Sequence, residues 1–260
     1  AASDVYKRQD LNEGLLLHSA WTGRRVMGMV EFLWGLSDGI NDAGLSIALA
    51  YGGRQETGRG FGITTILRYV LETCETVPQA LRVLQRVPSH MPYNVVVADA
   101  SGAGASVEMY AGGGAKVQPR LVATNHQTDG STPDRGSFTR TFERSKHLVS
   151  VLSEGVTPSA LAGQFTQAPL KQDRYAEGFG TLFTAEYEPK CRKMTLHWDD
   201  EVWLQSIDTF EEGTRQVTYG STPSSVAAGG AIDWVQIGLD YAAGRGVDWL
   251  RFVPAGVDVA

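Results

Sequence analysis

Long apolar runs separated by Gly, Asn and Asp dominate residues 14–53 and predict consecutive antiparallel strands. Reversals in such a pattern favour Gly, Asn and Asp because these residues adopt a positive φ at the lowest cost. A turn is predicted between the later runs at SDGINDAG, residues 37–44. The predicted strands are GLLLHSAW (14–21), RRVMGMVEFLWGL (24–36) and LSIALAYGG (45–53).

The hydrophobic period changes to that of a helix between residues 61 and 87. The same spacing appears twice, first in FGITTILRYVLETC and then in VPQALRVLQRV, where Thr76 is placed to cap the N-terminus. In the first segment, the apolar residues that share one helical face are Ile63, Ile66, Leu67, Val70 and Leu71. Two successive helices are therefore predicted after the first strands.

Strand signals return from residue 93, and helical spacing returns from residue 135. Ser137 and Thr157 are predicted helix caps, and Pro158 stands at the first position of the second of these helices. The predicted strands are YNVVVADASG (93–102), ASVEMYA (105–111) and AKVQPRLVATNHQ (115–127). The predicted helices are RGSFTRTFERSKHLVSVL (135–152) and TPSALAGQF (157–165), followed by a hairpin over 180–198 with its turn at EPKCRK and by a strand in VWLQSID (202–208).

This order of strands, two helices, strands, two helices and strands predicts an α+β fold with helices on the outer faces of two packed sheets. We therefore expect a four-layer αββα sandwich over residues 10–213. Residues 1–9 (AASDVYKRQ) show neither period and resemble a read-through tag, so we expect a non-native segment there. Residues 214–260 predict a linker and a C-terminal tail with a short helix.

Composition and charge argue against two classes of partner. Apolar residues make up 42% of the 260 residues and charged residues 20%, which is enough material for a sizeable core. The net charge is −6 and no run of Lys and Arg is dense, so we expect no nucleic acid and no membrane surface as partner. Cys74 and Cys191 lie far apart without metal-ligand spacing, so we expect no zinc site and no disulfide framework. We also expect no cofactor.

Three hydrogen-bonding residues, Thr124, Asn125 and His126, end the last run of the second strand set. A side-chain amide fixed at a strand end can donate to a tetrahedral oxyanion, and one such donor is typically worth ~3 kcal/mol of barrier. The alternative is that Asn125 forms a turn by bonding its own backbone. The residues alone leave both interpretations open.

Two arginines lie one helical turn apart at the start of the helix predicted from residue 135. A guanidinium near a thiol or a substrate carboxylate would lower the thiol pKa or orient the anion through its fork of donors. For a single arginine the alternative is a solvated helix residue. Arg140 is the candidate, and Arg144, on nearly the same face, is the competing choice.

The cysteines and two histidines are further candidates. Cys74 lies near the apolar face of the first helix, which predicts a buried structural thiol. Cys191 lies in a charged hairpin turn that could depress its pKa, but no partner is evident and an exposed non-catalytic thiol is the alternative. His90 and His126 could act as acid or base, with a hydrogen-bonded structural histidine as the alternative for each.

Seven segments, in order along the chain, carry a family pattern. They are LLLHSAWTGRRVMGM, LWGLSDGINDAGLSIALAYGG, RYVLETCETVPQALRVLQRVP, HMPYNVVVADASG, ATNHQ, SFTRTFER and YAEGFGTLFTAEY. Together they resemble the C45 peptidase group, which includes the acyl-coenzyme A:6-aminopenicillanic acid acyltransferases. The resemblance runs from about Asp10 to Phe210 and is specific because the segments recur in one order.

The resemblance implies an N-terminal-nucleophile hydrolase with an αββα sandwich. In such enzymes the precursor cuts itself ahead of a cysteine, whose thiol attacks amides while its own α-amino group serves as base. The expected substrate is a small acyl-amide, with an acyl-thioester or an amine as co-substrate. Hydrolysis and acyl transfer both stay open, as do the oligomeric state and the compartment.

The resemblance also implies site residues. Asn125 matches the asparagine of a T-N motif in the oxyanion hole, and Arg140 matches the arginine that lies near the nucleophile in a Ser-x-x-Arg segment. A backbone N–H at Ala50 or Tyr51 would be a second oxyanion donor, and His126 belongs to the same vicinity.

The sequence departs from the family pattern at its start. The family's cysteine opens the first strand, and an Arg-Asn-Tyr-Asp-like segment precedes the part matched by residues 10–14, where this chain has AASDVYKRQ. We therefore expect the nucleophile and the first strand or strands to be missing, and the fragment to be inactive and poorly soluble. One alternative is a non-catalytic relative that keeps the pocket for binding or structure. Another treats Cys191 as a redox or thiol-transfer group in a complete chain.

Overall fold

The computed structural model describes residues 2–6, 14–32, 34–175 and 179–219, and two antiparallel sheets form its centre. One sheet has the order β1-β10-β11-β12, with β9 also paired to β10. Its strands are β1 (Ala2–Tyr6), β9 (Asp173–Arg174), β10 (Phe179–Glu188), β11 (Lys193–His197) and β12 (Val202–Ser206). The other sheet holds seven strands in chain order: β2 (Leu16–Ser19), β3 (Val26–Glu31), β4 (Gly35–Asn41), β5 (Ser46–Tyr51), β6 (Tyr93–Ala98), β7 (Gly104–Met109) and β8 (Ala115–Gln118).

Helices cover the outer faces of both sheets. The helices α1 (Ile63–Thr73) and α2 (Val77–Arg86) pack on the seven-stranded sheet, mainly on β4 and β7. After β8 the chain forms α3 (Gly136–Thr139), α4 (Thr141–Ser153) and α5 (Pro158–Phe165), and α5 packs on β10. The predicted four-layer α+β sandwich is confirmed.

Two apolar cores follow from the alternation of side chains along the strands. Val26 belongs to the core under α1 and α2, whereas its neighbour Met27 belongs to the core between the two sheets. Both are fully buried, and burial of a side chain of this size contributes about 1.5–3 kcal/mol. Because β3 and β4 supply residues to both cores, these two strands connect the packing under the helices with the packing between the sheets.

The predicted turn at residues 37–44 is wrong, because most of this segment lies inside β4. Gly39 of this segment lies where β3 and β4 approach each other closely. A Cβ on Gly28, opposite Gly39, would lie 2.3 Å from the carbonyl oxygen of Asp38. A Cβ on Gly39 would lie 2.8 Å from Leu71 of α1. The SDG sequence therefore serves strand and helix packing, and the reversal follows at residues 42–45.

The strand predicted at residues 115–127 is also too long, because β8 ends at Gln118. Residues 121–127 run across the sheet end without a ladder partner, and a side chain replaces the ladder. The amide nitrogen of Asn94 donates to the carbonyl oxygens of Thr124 and His126, at 2.7 and 2.8 Å. Polar main-chain groups that leave a sheet need such partners, which an apolar pattern does not reveal.

The helix caps agree with the sequence in one case out of three. The Thr157 hydroxyl accepts from the Ala160 N–H at 3.3 Å, as predicted. Thr76 precedes α2, but its side chain makes no capping bond, and the Val77 N–H donates to Asp99 instead, at 2.8 Å. Ser137 lies inside α3, because the helix predicted from residue 135 is interrupted at residue 140, where φ is 52°.

The N-terminal end of the described chain forms an element that the sequence does not predict. Residues 2–6, for which the sequence predicts no element, pair with β10, with Ala2 opposite Ala185 and Tyr6 opposite Gly180. The linker predicted from residue 214 is described only to residue 219, and the short helix predicted in the tail lies outside the described residues. In the described part of the chain, no helix combines the length and apolarity that crossing a bilayer needs.

A buried acid lies between the two sheets. Asp38 of β4 is 3% exposed and accepts a hydrogen bond from the Tyr187 hydroxyl of β10. Burial raises the pKa of Asp38 to about 6, although its hydrogen bonds oppose the shift. Burial and the Asp38 charge raise the pKa of Tyr187 well above its usual value. Ionising Asp38 therefore costs stability because the charge is buried, although the ionised carboxylate accepts the Tyr187 hydrogen bond more strongly.

We expect Asp38→Asn to stabilise the protein at pH 8 and to leave its stability nearly unchanged below pH 4. The carboxyl is protonated in both states below pH 3.8, whereas between pH 3.8 and 6 it ionises first in the unfolded chain, so stability falls as the pH rises. The full difference is at most about 3 kcal/mol. Urea unfolding at pH 4 and 8 measures it, with the exposed Asp200→Asn as control. A gain that does not depend on pH would contradict this origin.

We expect Asn94→Ala to lower the free energy of unfolding by roughly 1–3 kcal/mol, because two carbonyl oxygens lose their partner. Hydrogen exchange and proteolysis should increase within residues 119–128 before they increase in the helices. Gln85→Ala, an exposed change on α2, is the control. A loss of stability without local exchange around residue 125 would show that Asn94 does not hold this segment.

Candidate active site

Asn125 lies in the segment that Asn94 holds across the end of β5 and β6. Its Oδ1 accepts from Nη1 of Arg144 at 3.0 Å, and its Nδ2 lies 3.4 Å from the Tyr51 carbonyl oxygen. Because a guanidinium only donates, the oxygen of the amide must face Arg144, which fixes the orientation of the side chain. One N–H of the half-buried amide is then left to donate to a ligand.

The loop after β5 touches the Asn125 segment very closely. Gly53 has φ 88°, and a Cβ there would lie 2.6 Å from the carbonyl oxygen of Asn125. The Gly53 carbonyl oxygen accepts from the Asp134 N–H at 2.7 Å, and Asp134 accepts from the Tyr51 hydroxyl at 3.2 Å. This contact joins three segments, around residues 52, 125 and 134, into one site wall.

Ala50 and Tyr51, predicted as oxyanion donors, both lie in the ladder between β5 and β6. Ala50 is opposite Asn94, and Tyr51 is opposite Tyr93. The group that Tyr51 presents to Asn125 is its carbonyl oxygen, which accepts a hydrogen bond. Tyr51 therefore contacts the amide as an acceptor and not as the predicted donor, and Ala50 lies next to it in the strand.

The two candidate arginines occupy different environments. Arg140 has a left-handed backbone, and its side chain is 41% exposed and bonded twice to Glu143, at 2.8 and 2.6 Å. Arg144 is only 9% exposed, and it is the arginine that contacts Asn125. Burial and the charge of Arg140 lower the pKa of Arg144, and its Nε is buried without a hydrogen-bond partner.

His126 lies beside Asn125 and is held by two hydroxyls. Its Nδ1 is 3.1 Å from the Thr124 hydroxyl and 2.9 Å from the Thr141 hydroxyl, and its ring centre is 4.4 Å from that of Phe142. Burial lowers the pKa of His126, which favours the neutral imidazole. His90, the other candidate, is exposed on the loop before β6.

Neither cysteine belongs to this site. Cys74 ends α1 within the core under the helices, where it is 2% exposed and burial raises its thiol pKa. Cys191 is exposed in the turn between β10 and β11. Within the described residues, no group of three or more His, Cys, Asp or Glu side chains is placed to hold a metal ion.

Some features of the site are missing from the sequence interpretation. An open cleft of about 640 Å³ is lined by residues between Thr132 and Glu143, and Asp134 and Gly53 connect it to Asn125. The signal for this loop is its run of turn residues, TDGSTPDRG, over 128–136. A turn signal locates a loop, but it does not say which strand end the loop covers.

Two solved structures that share the fold are named as a hydrolase and an amidase. A mutant of the conjugated bile acid hydrolase from Clostridium perfringens matches with a TM-score of 0.54 at 10% identity, covering 83% of this chain and 92% of that one. The Caenorhabditis elegans ortholog of N-acylethanolamine-hydrolyzing acid amidase matches with a TM-score of 0.51 at 16% identity, covering 78% and 92%. At these identities the likeness shows the fold, which is that of the N-terminal-nucleophile hydrolases.

Sequence comparison supplies the family. No functionally curated protein matches the chain. The family model described as acyl-coenzyme A:6-aminopenicillanic acid acyl-transferase matches residues 4–203, which is well over half of the sequence. This chain therefore belongs to the acyl-coenzyme A:6-aminopenicillanic acid acyl-transferase family, whose resemblance was already visible in its seven ordered segments.

Proposed function

We propose that this protein provides the site of a thiol-dependent amide hydrolase or acyltransferase of the N-terminal-nucleophile type, acting on a small acyl-amide. The observation that carries the proposal is the fixed amide of Asn125, oriented by a buried arginine at the end of the sheet. Family membership and the shared fold support this class of reaction. They do not fix the substrate, because one fold serves many substrates.

Asn125 is the proposed oxyanion donor. When a thiolate attacks the acyl carbon, the carbonyl oxygen gains negative charge, and the free N–H of the Asn125 amide donates to it. Such a donor acts mainly in the transition state, because the charge appears only there. It is effective only if it needs no reorientation, and the bond from Arg144 to Oδ1 provides that orientation.

Arg144 is the proposed positioning residue, in place of Arg140. Its guanidinium is buried and forms no ion pair with a carboxylate of the described residues, so its charge is weakly screened near the reacting atoms. Arg140 is neutralised by Glu143 and exposed, so its field at Asn125 is weaker. We therefore assign the site arginine by contact and burial.

The nucleophile is proposed to be neither Cys74 nor Cys191. A thiol must reach the carbon whose oxygen meets Asn125, whereas Cys74 is enclosed in the other core and Cys191 lies in a distant hairpin turn. We propose that this 260-residue chain has no thiol at the site and does not turn over a substrate. The same observation favours a second candidate function, a non-catalytic relative that binds acyl amides in the retained pocket.

In a form of the chain that carries a cysteine at the N-terminal nucleophile position, we expect Asn125→Ala to lower kcat by roughly 10²–10³ with little change in KM. Arg144→Met should lower kcat in the same direction by about tenfold or more, because the amide loses its orientation. Steady-state kinetics on a small acyl-amide measure both effects.

Arg140→Met is the matched control for Arg144→Met, because it makes the same replacement of arginine by methionine four residues earlier. We expect it to change kcat less than threefold, because exposed ion pairs contribute little. Equal losses in the two arginine variants would contradict the assignment of Arg144. Undiminished turnover in Asn125→Ala would end the proposed role of the amide.

For the 260-residue chain, we expect no acyl-amide turnover, and no change in this result when both Cys74 and Cys191 are replaced by serine. Release of amine, followed over hours at high protein concentration, is the measurement. Turnover that disappears on replacing either cysteine would refute the absence of a nucleophile. Binding of acyl amides without turnover would favour the non-catalytic candidate.

A further inference from the structure

The open cleft beside Asn125 shares walls with the candidate site. A Cβ on Gly53 would lie 2.6 Å from the Asn125 carbonyl oxygen and 2.8 Å from Pro133, which lines the cleft. Phe142 lines the cleft as well, and its ring contacts that of His126. When the amide of a substrate lies next to Asn125, a substrate group only a few bonds away would therefore enter this cleft.

One charge in the cleft has no carboxylate partner. Arg140 pairs with Glu143, and the Asp134 carboxylate accepts from the Tyr51 hydroxyl. Arg135 also lines the cleft, and within the described part of the chain it forms no ion pair. Its guanidinium is thus the cation available to an incoming anion.

An aromatic ring holds Arg135 in place. The Arg135 guanidinium carbon lies 4.3 Å from the centre of the Phe138 ring, and Arg174 lies at the same distance from that ring. Phe138 packs in turn on Phe179 at 4.5 Å. A guanidinium stacked on a ring keeps its edge N–H groups free, and that planar fork matches a carboxylate.

We propose that Arg135 and Phe138 form a subsite for a carboxylate on the amine portion of the substrate, which makes N-acyl amino acids the preferred substrate class. This inference rests on the proposed function of the Asn125 site. In an N-acyl amino acid the carboxylate carbon is two bonds from the amide nitrogen, so its subsite must adjoin the oxyanion donor. The shared walls of the cleft and the site meet this requirement.

Binding of ligands to the 260-residue chain tests the subsite without any turnover. N-benzoylglycine and N-benzoylglycinamide share the acyl group and the amide and differ in the carboxylate. Ligand-observed NMR titrations yield Kd for both with the unmodified protein, with Arg135→Gln and with Arg120→Gln, an exposed arginine outside the cleft. We expect the acid to bind the unmodified protein about five- to tenfold more tightly than the amide.

Arg135→Gln should remove this preference by weakening the acid alone, whereas Arg120→Gln should keep it. Raising the salt to about 0.5 M should weaken binding of the acid more than binding of the amide, because the charge is screened. A preference that survives Arg135→Gln, or equal binding of the two ligands, overturns the subsite and leaves the role of Asn125 standing. Absence of binding by both ligands counts against the subsite and the proposed function together.

Discussion

A single side-chain amide, that of Asn94, sets the position of the candidate site. Once the chain leaves β8, the carbonyl oxygens around Asn125 have no neighbouring strand, and a buried carbonyl without a partner costs roughly 1–3 kcal/mol. Asn94 satisfies two of them and is itself opposite Ala50 in the ladder. The strand end that meets Asn125 and the group that holds its segment are therefore one rigid unit.

The buried side chains of Asp38 and Arg144 differ in how their charge is accommodated. Asp38 is met by a hydroxyl donor across the sheets and can become neutral near pH 6, so it serves the packing of the layers. Arg144 cannot lose its charge in the same way, and it faces an amide oxygen with its Nε unpartnered. Stability alone does not favour such an arrangement, which is typical of residues placed for chemistry.

The sequence predicts the elements whose burial pattern is local. The helices α1 and α2 follow from spacing alone, because the apolar face of each meets a single core. The turn predicted at residues 37–41 and the strand predicted at residues 121–127 are both wrong. In each segment the conformation is set by contacts with residues that are distant in the sequence. The local sequence does not reveal that Leu71 packs against Gly39, or that Asn94 binds the carbonyl oxygens of Thr124 and His126.

The choice between Arg140 and Arg144 shows a second limit of sequence patterns. On a continuous helix the two side chains share a face, so spacing cannot separate them. The left-handed backbone at Arg140 divides the helix in two, which leaves Arg140 with Glu143 and places Arg144 on Asn125. The Asn125 motif itself was visible, because the family pattern singles it out.

The close approach at Gly53 has a consequence for anyone who redesigns this pocket. Any side chain at that position would collide with the main chain of Asn125, so diversity introduced there would displace the amide before it altered selectivity. The neighbouring loop at Thr132 and Arg135 lines the same cleft, with both residues exposed. A library that keeps Gly53 fixed and varies this loop can therefore change which ligands bind without displacing the Asn125 amide.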